Sequence, residues 1–344
     1  MTQVPVAVES VLAREMEALR RPLLGFCYRM LGSSYDAEDA VQETMIRAWR
    51  AMGRLDDPAG LRPWMYKIAT NVCIDAATDR RRRAMPMDLA APDDGRGSPG
   101  APLAESLWLS PIPTGNVDAD DPAERALSRE SIQLAFVAAL QHLLPRQRAV
   151  LILRDVLRFR AAEVAALLET SVDAVHSSLR RARASLAEAR RGDAAPPAGH
   201  EPVDARLLRR YVEAFERFDV DAIVSLLRHD VVVSMPPFSF WLHGQDAFRL
   251  WLENNVVACD HARLILTDAN GSPAAALYRA GPTGALERSG LHVLHWRDGK
   301  IASLHVFLQP ALLEQFGLPQ ILPQASTGPQ LEESTGTGGG QRLA

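Results

Sequence analysis

The chain has 344 residues, of which 47% are hydrophobic and 23% charged, and its net charge is −4. This length predicts two or three domains, and the apolar fraction is sufficient for packed cores. No apolar run approaches the length of a membrane span, and the amino terminus lacks the basic-then-apolar order of a signal peptide, so we expect a cytoplasmic protein with no membrane contact.

Three cysteines, Cys27, Cys73 and Cys259, are far apart along the chain and lie among apolar neighbours. Their number and spacing exclude a disulfide framework and a paired-cysteine metal motif. We therefore expect buried free thiols in a reducing compartment.

Residues 10–85 have a helical character with few strand signals. Asp36 is placed to cap a helix, and the carboxylates after it complement the positive end of the helix dipole. The helix carries an apolar stripe of Val41, Met45, Ala48, Trp49 and Met52. The side chains left pointing outward are Glu38, Asp39, Gln42 and Glu43. An ordinary capped surface helix would show the same pattern.

A second helix is predicted from near Pro63. Its buried stripe consists of Met65, Ile68, Ala69, Val72 and Ala76. Off this stripe lie Trp64, Tyr66, Lys67, Asn71 and Asp75, and the helix ends in a basic run of Arg80, Arg81, Arg82 and Arg83. Exposed rings can stack on unpaired bases while arginines hold the phosphate backbone, so this pattern suits single-stranded DNA.

Residues 86–121 are rich in proline, glycine and aspartate and contain one basic and seven acidic residues. Such a composition is typical of a linker. Trp108 and the WLSPIP run around it are unusual for a spacer. Two interpretations stay open: a solvated flexible tether, or a segment that is anchored locally.

Residues 122–191 form the most basic block, with twelve basic and seven acidic residues. Two short helices flank a break at 169–171, and Thr170 followed by Asp173 is similar to a capping box. The second helix has an apolar face of Val172, Val175, Leu179, Ala182 and Leu186. Its opposite face carries short polar groups and arginines, which fits a helix-turn-helix in the DNA major groove. Glu169 counts against this, because the turn often holds glycine; an amphipathic hairpin with a solvated basic face is the alternative.

The pattern of residues 203–316 differs from that of the preceding blocks. It predicts helices followed by strands of alternating hydrophobicity, including Gly290–Trp296 and Ile301–Leu308. Asp298–Gly299 between these strands is a strong hairpin-turn signal. The tail, 324–344, is rich in serine, threonine and glycine, and we expect it to be disordered.

Two motifs of the first block carry a specific resemblance. LLGFCYRMLGSSYDAEDAVQETMIRAWR followed by LRPWMYKIATNVCIDAATDRRRR resembles region 2 of a bacterial sigma-70 factor of the extracytoplasmic-function group. LQHLLPRQRAVLILRDVLRFRAAEVAALLETSVDAVHSSLRRARASL resembles region 4 of the same family. The resemblance implies a multidomain chain with two all-α sigma domains. It also implies RNA polymerase core, through its β′ and β subunits, and promoter DNA as partners.

The resemblance carries roles to the matching positions. The residues that would bind the polymerase core are Asp36, Glu38, Asp39, Gln42 and Glu43. Those that would contact the −10 element are Trp64, Tyr66, Lys67, Asn71, Asp75 and Arg80 to Arg83. Those that would contact the −35 element are Thr170, Asp173, His176, Ser177, Arg180, Arg181 and Arg183. A sigma factor supplies differential binding and no covalent chemistry, so we expect no cofactor and no metal.

Residues 203–316 resemble the SnoaL-like polyketide-cyclase group, which implies an α+β cone. Some sigma factors of this group carry such an extension in a regulatory role, which we favour over a ligand sensor or a retained enzyme. A ligand pocket would be lined by Met235, Trp241, Trp251 and His292. His292 and His295 are three apart on a predicted strand and so project to opposite faces, which disfavours a metal site. A DNA-binding regulator that never joins polymerase and a cyclase-like enzyme with a DNA-binding appendage remain the alternative functions.

Overall fold

The structure is a computed structural model that describes residues 6–55, 60–78, 82–117, 129–189, 205–255 and 262–322. Cys259, Arg80, Arg81 and the predicted disordered tail lie outside the described residues. Among the helices that are described, none has the length and apolarity needed to cross a membrane.

The amino-terminal block is a helical bundle, as the apolar periodicity predicts. Its helices are α1 (Val6–Ala18), α2 (Arg20–Leu31), α3 (Ser34–Ala51) and α4 (Leu61–Thr78). Leu23, Phe26 and Met65 are fully buried between them. The cap of α3 is Ser33, whose hydroxyl accepts a hydrogen bond from the Asp36 backbone N–H at 3.2 Å. The expectation that Asp36 itself caps the helix is therefore wrong, and Asp36 lies in the first turn.

Residues 82–117 pack against the helices on both sides, so the flexible-tether interpretation is wrong for this part of the segment. Leu109 is fully buried and lies over Gly32, the residue after α2. Gly32 has φ +69°, and a Cβ there would lie 2.5 Å from a Leu109 methyl carbon, so only glycine permits this approach. Trp108 is 1% exposed, as the local-anchor interpretation requires.

The second helical block contains α5 (Leu134–Gln141), α6 (Pro145–Leu151), α7 (Ala161–Leu167) and α8 (Val172–Ala189). A π-helical turn, Ile152–Val156, continues α6. Ser171, not the predicted Thr170, caps α8: its hydroxyl accepts from the Ala174 N–H at 3.1 Å. The break before α8 has the left-handed conformation that usually favours glycine, with Glu169 at φ +51°.

The carboxy-terminal block combines three helices with one sheet. The helices are α9 (Ala205–Glu216), α10 (Val220–Ser225) and α11 (Gln245–Asn254). The strands are β1 (Leu227–Ser234), β2 (Trp241–His243), β3 (Arg263–Ala269), β4 (Ser272–Ala280), β5 (Leu286–Arg297) and β6 (Lys300–Phe307). The strand order is β2-β1-β6-β5-β4-β3, antiparallel except for β1 beside β6. Asp298 and Gly299 both have positive φ, which confirms the predicted hairpin turn.

The sheet is covered on both faces. One face packs under α9 and α11, with Tyr211, Phe248 and Leu294 in its core. Side chains of the other face, including Tyr278 and Phe307, belong to the same buried cluster as the two helical blocks. The three parts of the chain therefore share one continuous interior.

Candidate nucleic-acid interface

Helix α8 separates a packing face from an exposed polar face. Val175, Leu179, Ala182 and Leu186 are buried, as predicted, whereas Val172 is 40% exposed and does not belong to that stripe. The candidate −35 residues at the exposed surface are Thr170, Asp173, His176, Arg180, Arg181 and Arg183, with Ser177 half-buried. The helix thus presents hydrogen-bonding groups of both kinds to an approaching duplex.

Two arginines of α8 already have contacts within the block. Arg183 makes a bidentate ion pair with Asp155 of the π-helical turn, at 2.9 and 2.7 Å. Arg181 donates to the Ser177 hydroxyl at 3.1 Å. Asp155 was not among the sequence candidates, because nothing in its local pattern places it beside α8.

Helix α4 presents Asn71 and Asp75 to solvent, and Trp64 and Lys67 are half-buried. Tyr66 is fully buried. Its ring makes edge contacts with Phe26 at 5.5 Å and Phe159 at 5.2 Å between ring centroids. The prediction that Tyr66 faces unstacked bases is therefore wrong for this conformation, since the second helical block covers α4 from a second side.

The basic residues after α4 also have intrachain partners. Arg82 contacts an Asp88 carboxylate oxygen and His142 Nε2, each at 2.9 Å. Arg83 makes a short ion pair with Asp36, and its Nη1 donates to the Trp108 carbonyl at 2.6 Å. The two candidate phosphate-binding arginines that the structure describes, Arg82 and Arg83, are thus paired within the chain.

A candidate −10 residue contacts the turn that precedes the candidate −35 residues. Lys67 Nζ lies 2.8 Å from a carboxylate oxygen of Glu169, the residue before Thr170. This ion pair explains what a glutamate does at the strained turn position: its side chain reaches across to the other helical block. Both side chains remain partly exposed, so the pair itself contributes little to stability.

The candidate polymerase-binding face of α3 is acidic and partly apolar. Asp39 and Gln42 are exposed, Glu38 pairs with Arg20 at 3.2 Å, and Glu43 with Arg47 at 2.6 Å. Trp49, predicted to be buried, is 59% exposed beside Ile46 at 37%. These two side chains line a surface cavity of about 410 Å³ between α1 and α3. The exposed tryptophan is the feature that the single-stripe interpretation missed.

Buried arginines join the two helical blocks. Arg29 of α2 donates to the Ser131 hydroxyl at 2.7 and 3.0 Å. Arg148 of α6 donates to the Met30 carbonyl and, at 2.7 Å, to Gln141 Oε1. Burial lowers the pKa of both guanidinium groups to about 10. Each guanidinium is hydrogen-bonded to neutral oxygens of the protein. The two blocks must therefore be held in the one arrangement that supplies these acceptors.

Asn270, at the turn between β3 and β4, ties all parts together. Its side-chain amide donates to the Tyr28 hydroxyl at 2.7 Å and to the Ile132 carbonyl at 2.6 Å. Its Oδ1 accepts from the Ile112 N–H at 3.0 Å. Asn270 is fully buried, so one side chain of the sheet holds both helical blocks and the segment between them.

The candidate ligand pocket is only partly assembled. Met235 and Trp251 are buried on the face under α11, and His292 lies on the same face, hydrogen-bonded through Nδ1 to the Tyr211 hydroxyl at 2.8 Å. Trp241 lies on the other face, where its Nε1–H donates to the Ala90 carbonyl at 2.8 Å. The prediction that Trp241 lines the same pocket is therefore wrong, because strand alternation turns it toward the segment 82–117.

Burial lowers the pKa of His292 to about 3. The imidazole is therefore neutral at physiological pH. Among the described residues, no group of three or more histidine, cysteine, aspartate or glutamate side chains is placed to hold a metal ion.

Comparison with known proteins identifies the family to which the chain belongs. Family models match for Sigma-70 region 2 over residues 16–83, for Sigma-70 region 4 over 133–186, and for a SnoaL-like domain over 208–304. The chain belongs to the extracytoplasmic-function (ECF) RNA polymerase sigma factors, and it carries a SnoaL-like domain after regions 2 and 4.

Among its relatives is the ECF RNA polymerase sigma factor SigG of Mycobacterium tuberculosis, 43% identical over 310 residues, which are 89% of this chain and 83% of SigG. The probable ECF RNA polymerase sigma factor SigI of the same organism is 28% identical over 86% of this chain and 93% of its own. The crystal structure of M. tuberculosis SigJ has the same fold, with a TM-score of 0.58 and 24% identity over 88% of this chain and 98% of SigJ.

Proposed function

We propose that this sigma factor directs RNA polymerase core to promoters, with α3 binding the core, α4 contacting the −10 element and α8 contacting the −35 element. The observation that carries the proposal is the division of α8 into a buried apolar face and an exposed face of Asp173, His176 and Arg180. A helix held by one face and free on the other is what major-groove binding requires.

The acidic face of α3 favours a sigma factor over a regulator that binds DNA without polymerase. Asp39 and Gln42 are exposed there, and the same helix exposes the ring of Trp49. An anionic and aromatic surface suits a basic protein partner, and it would repel the DNA phosphates.

The structure supports a closed state in which the two DNA-contacting parts cannot serve one promoter. Lys67 and Glu169 are in contact. Elements centred about 25 base pairs apart, at about 3.4 Å for each base pair, are separated by roughly 85 Å of duplex. Regions 2 and 4 must therefore separate before both elements are bound.

We assign the SnoaL-like domain the role of holding this closed state. Asn270 supplies hydrogen bonds to both helical blocks, and residues of the sheet share their core. The role is regulatory rather than catalytic: His292 is buried with Tyr211 as its hydrogen-bond partner, in an interior filled by aromatic side chains. A small-molecule ligand of this domain is the alternative that a binding screen on the full chain would address.

The test is run-off transcription with purified core polymerase on a promoter library, comparing the full chain, Asn270→Ala and Asp221→Asn. Asp221 forms an exposed ion pair with Arg249 on the far side of the carboxy-terminal domain and serves as the control. We expect start-site selection from all three and higher output from Asn270→Ala. Loss of start-site selection with every form would refute the sigma assignment, and equal output from Asn270→Ala and the full chain would refute the regulatory one.

A further inference from the structure

The ion pair between Asp36 and Arg83 joins two groups that our proposed function assigns to different partners. Asp36 lies in the first turn of α3, the candidate polymerase-binding helix, and Arg83 ends the basic run of the candidate −10 surface. In the structure each is the other's ion-pair partner, so neither can serve its own partner while the contact persists.

Among the described residues, the contact is more buried than the ion pairs of the candidate DNA-binding arginines Arg82 and Arg183. The side chains of Arg83 and Asp36 are 10% and 14% exposed, against 42% for Arg82 and 59% for Arg183. Charge pairs withdrawn from water in this way are screened less by salt than exposed ones. Arg83 is therefore withheld from DNA more completely than the other basic residues described.

The backbone holds Arg83 in a defined place. The Ala84 N–H donates to the Leu107 carbonyl at 2.7 Å, and the Leu109 N–H donates to the Ala84 carbonyl at 3.2 Å. Arg83 Nη1 also donates to the carbonyls of Glu105 and Trp108. The guanidinium thus connects α3 to the segment 82–117 as well as to the candidate DNA surface.

Both side chains have room to separate. They line a cavity of about 810 Å³ whose other walls come from the segment 105–110 and from Gln309, Leu312 and Glu314 of the carboxy-terminal domain. Either side chain can change rotamer into this space without displacing the packed core. The cavity lies where the amino-terminal helical block, the segment 82–117 and the carboxy-terminal domain meet.

We infer that Asp36 and Arg83 form an interlock that couples polymerase binding to promoter binding. When a basic surface of the core takes Asp36, Arg83 loses its counter-ion and becomes available to a promoter phosphate. The free chain therefore binds DNA poorly, and binding of the core adds one phosphate contact. In this role Asp36 is a positioning residue for Arg83 as well as a contact for the core.

The test compares Asp36→Asn with Asp39→Asn, a neighbouring carboxylate of α3 that is exposed. Both changes should weaken binding to the core several-fold. Only Asp36→Asn should tighten binding of a labelled forked promoter DNA in the absence of core, by about five- to tenfold at low salt. It should also steepen the salt dependence by about one phosphate contact. Adding Arg83→Ala to Asp36→Asn should remove this gain.

Equal core-free DNA affinity for Asp36→Asn and Asp39→Asn, or a gain that survives Arg83→Ala, would overturn the interlock. Failure of the unaltered chain to bind core would instead refute the proposed function. Because a buried arginine without its partner can unfold the region, Arg83→Ala alone gives a second measurement that leaves no unpaired arginine. It should leave core-free binding of the forked DNA unchanged and weaken DNA binding by the complex with core, and an equal loss in both settings would contradict the interlock.

Discussion

Single side chains decide whether the closed state forms, and Asn270 is the clearest case. Its amide makes three side-chain hydrogen bonds to groups that are far away in sequence. Removing one member of a buried hydrogen bond leaves its partner unsatisfied, at a cost of about 1–3 kcal/mol each. Asn270→Ala should therefore lower the urea midpoint of the full chain, measured by circular dichroism.

The backbone of Asn270 provides the control. Its φ is +54°, a conformation that glycine adopts freely and alanine does not. Asn270→Gly removes the same hydrogen bonds without this strain. The glycine variant should therefore be less destabilised than the alanine variant, by about 1 kcal/mol. The reverse order would contradict the assigned conformation.

Tyr66 separates a packing role from a base-stacking role. Because its ring is buried between Phe26 and Phe159, Tyr66→Ala should cost about 3–5 kcal/mol of stability, whereas Tyr66→Phe keeps the contacts and should cost far less. Thermal unfolding of both variants measures this. An unchanged unfolding temperature for Tyr66→Ala, together with weaker binding of single-stranded −10 DNA, would restore the original interpretation.

Cys27 and Cys73 are buried free thiols, as the sequence predicts. Cys73 is fully buried beside Cys27 of α2, and burial together with a hydrogen bond that the Cys73 thiol donates to Cys27 raises its pKa well above the usual range. Cys27 and Cys73 should thus resist alkylation by iodoacetamide at pH 8 until the chain unfolds. Mass spectrometry of the native chain would detect fast modification at either position, which would contradict the described packing.

At the scale of elements, α8 divides its arginines between two tasks. Arg180 is exposed on the face that would meet base edges, whereas Arg183 is held by Asp155 near the end of the helix. Arg180→Ala should weaken binding to one promoter sequence selectively, by about 1–3 kcal/mol. Arg183→Ala should weaken binding to all promoter sequences alike. Equal losses for both variants across a panel of −35 mutants would defeat this division.

Two buried histidines in the sheet of the carboxy-terminal domain should make the free energy of unfolding depend on pH. Burial lowers the pKa of both His292 and His305 to about 3, against about 6.5 in an unfolded chain. The unfolded chain therefore takes up protons first as the pH falls. Stability is fully present above pH ~6.5 and is lost toward pH ~3, by about 1.4 kcal/mol per pH unit for each histidine.

Urea titrations at a series of pH values measure this slope. His292→Asn should reduce the slope by the share of one proton. A slope that does not respond to His292→Asn would show that this imidazole is already protonated in the folded chain.

How much of each element could be predicted from sequence depends on where its partners lie. The Asp298–Gly299 turn and the faces of α8, apart from the exposed Val172, follow from local spacing and were predicted correctly. Tyr66 was misplaced because α4 meets a second neighbour that its own periodicity does not show. Trp49 was misplaced because its position on the predicted stripe stays exposed in the structure. Asn270 sits in a visible Asn-Gly turn, yet its partner Tyr28 is 242 residues away, beyond any local signal.

On the scale of the whole molecule, the closed state follows from how charge is distributed. Four candidate DNA-binding cations have acidic partners within the chain: Lys67, Arg82, Arg83 and Arg183. Buried contacts from Arg29, Arg148 and Asn270 then hold the regions together. The same chain thus contains the cations that would bind the promoter and the acidic side chains that pair with them in the closed state.

We propose that regions 2 and 4 are held together in the free chain and separate when the chain binds core polymerase and promoter DNA. Energy transfer between dyes at Arg62 and Ala166 reports this directly. Both positions are exposed, on α4 and α7, and the Arg62 guanidinium lies 5.4 Å from the centroid of the Phe159 ring in the second helical block. We predict strong transfer in the free chain and its collapse when core polymerase and promoter DNA are bound. Strong transfer that persists in a complex competent for initiation would contradict the account.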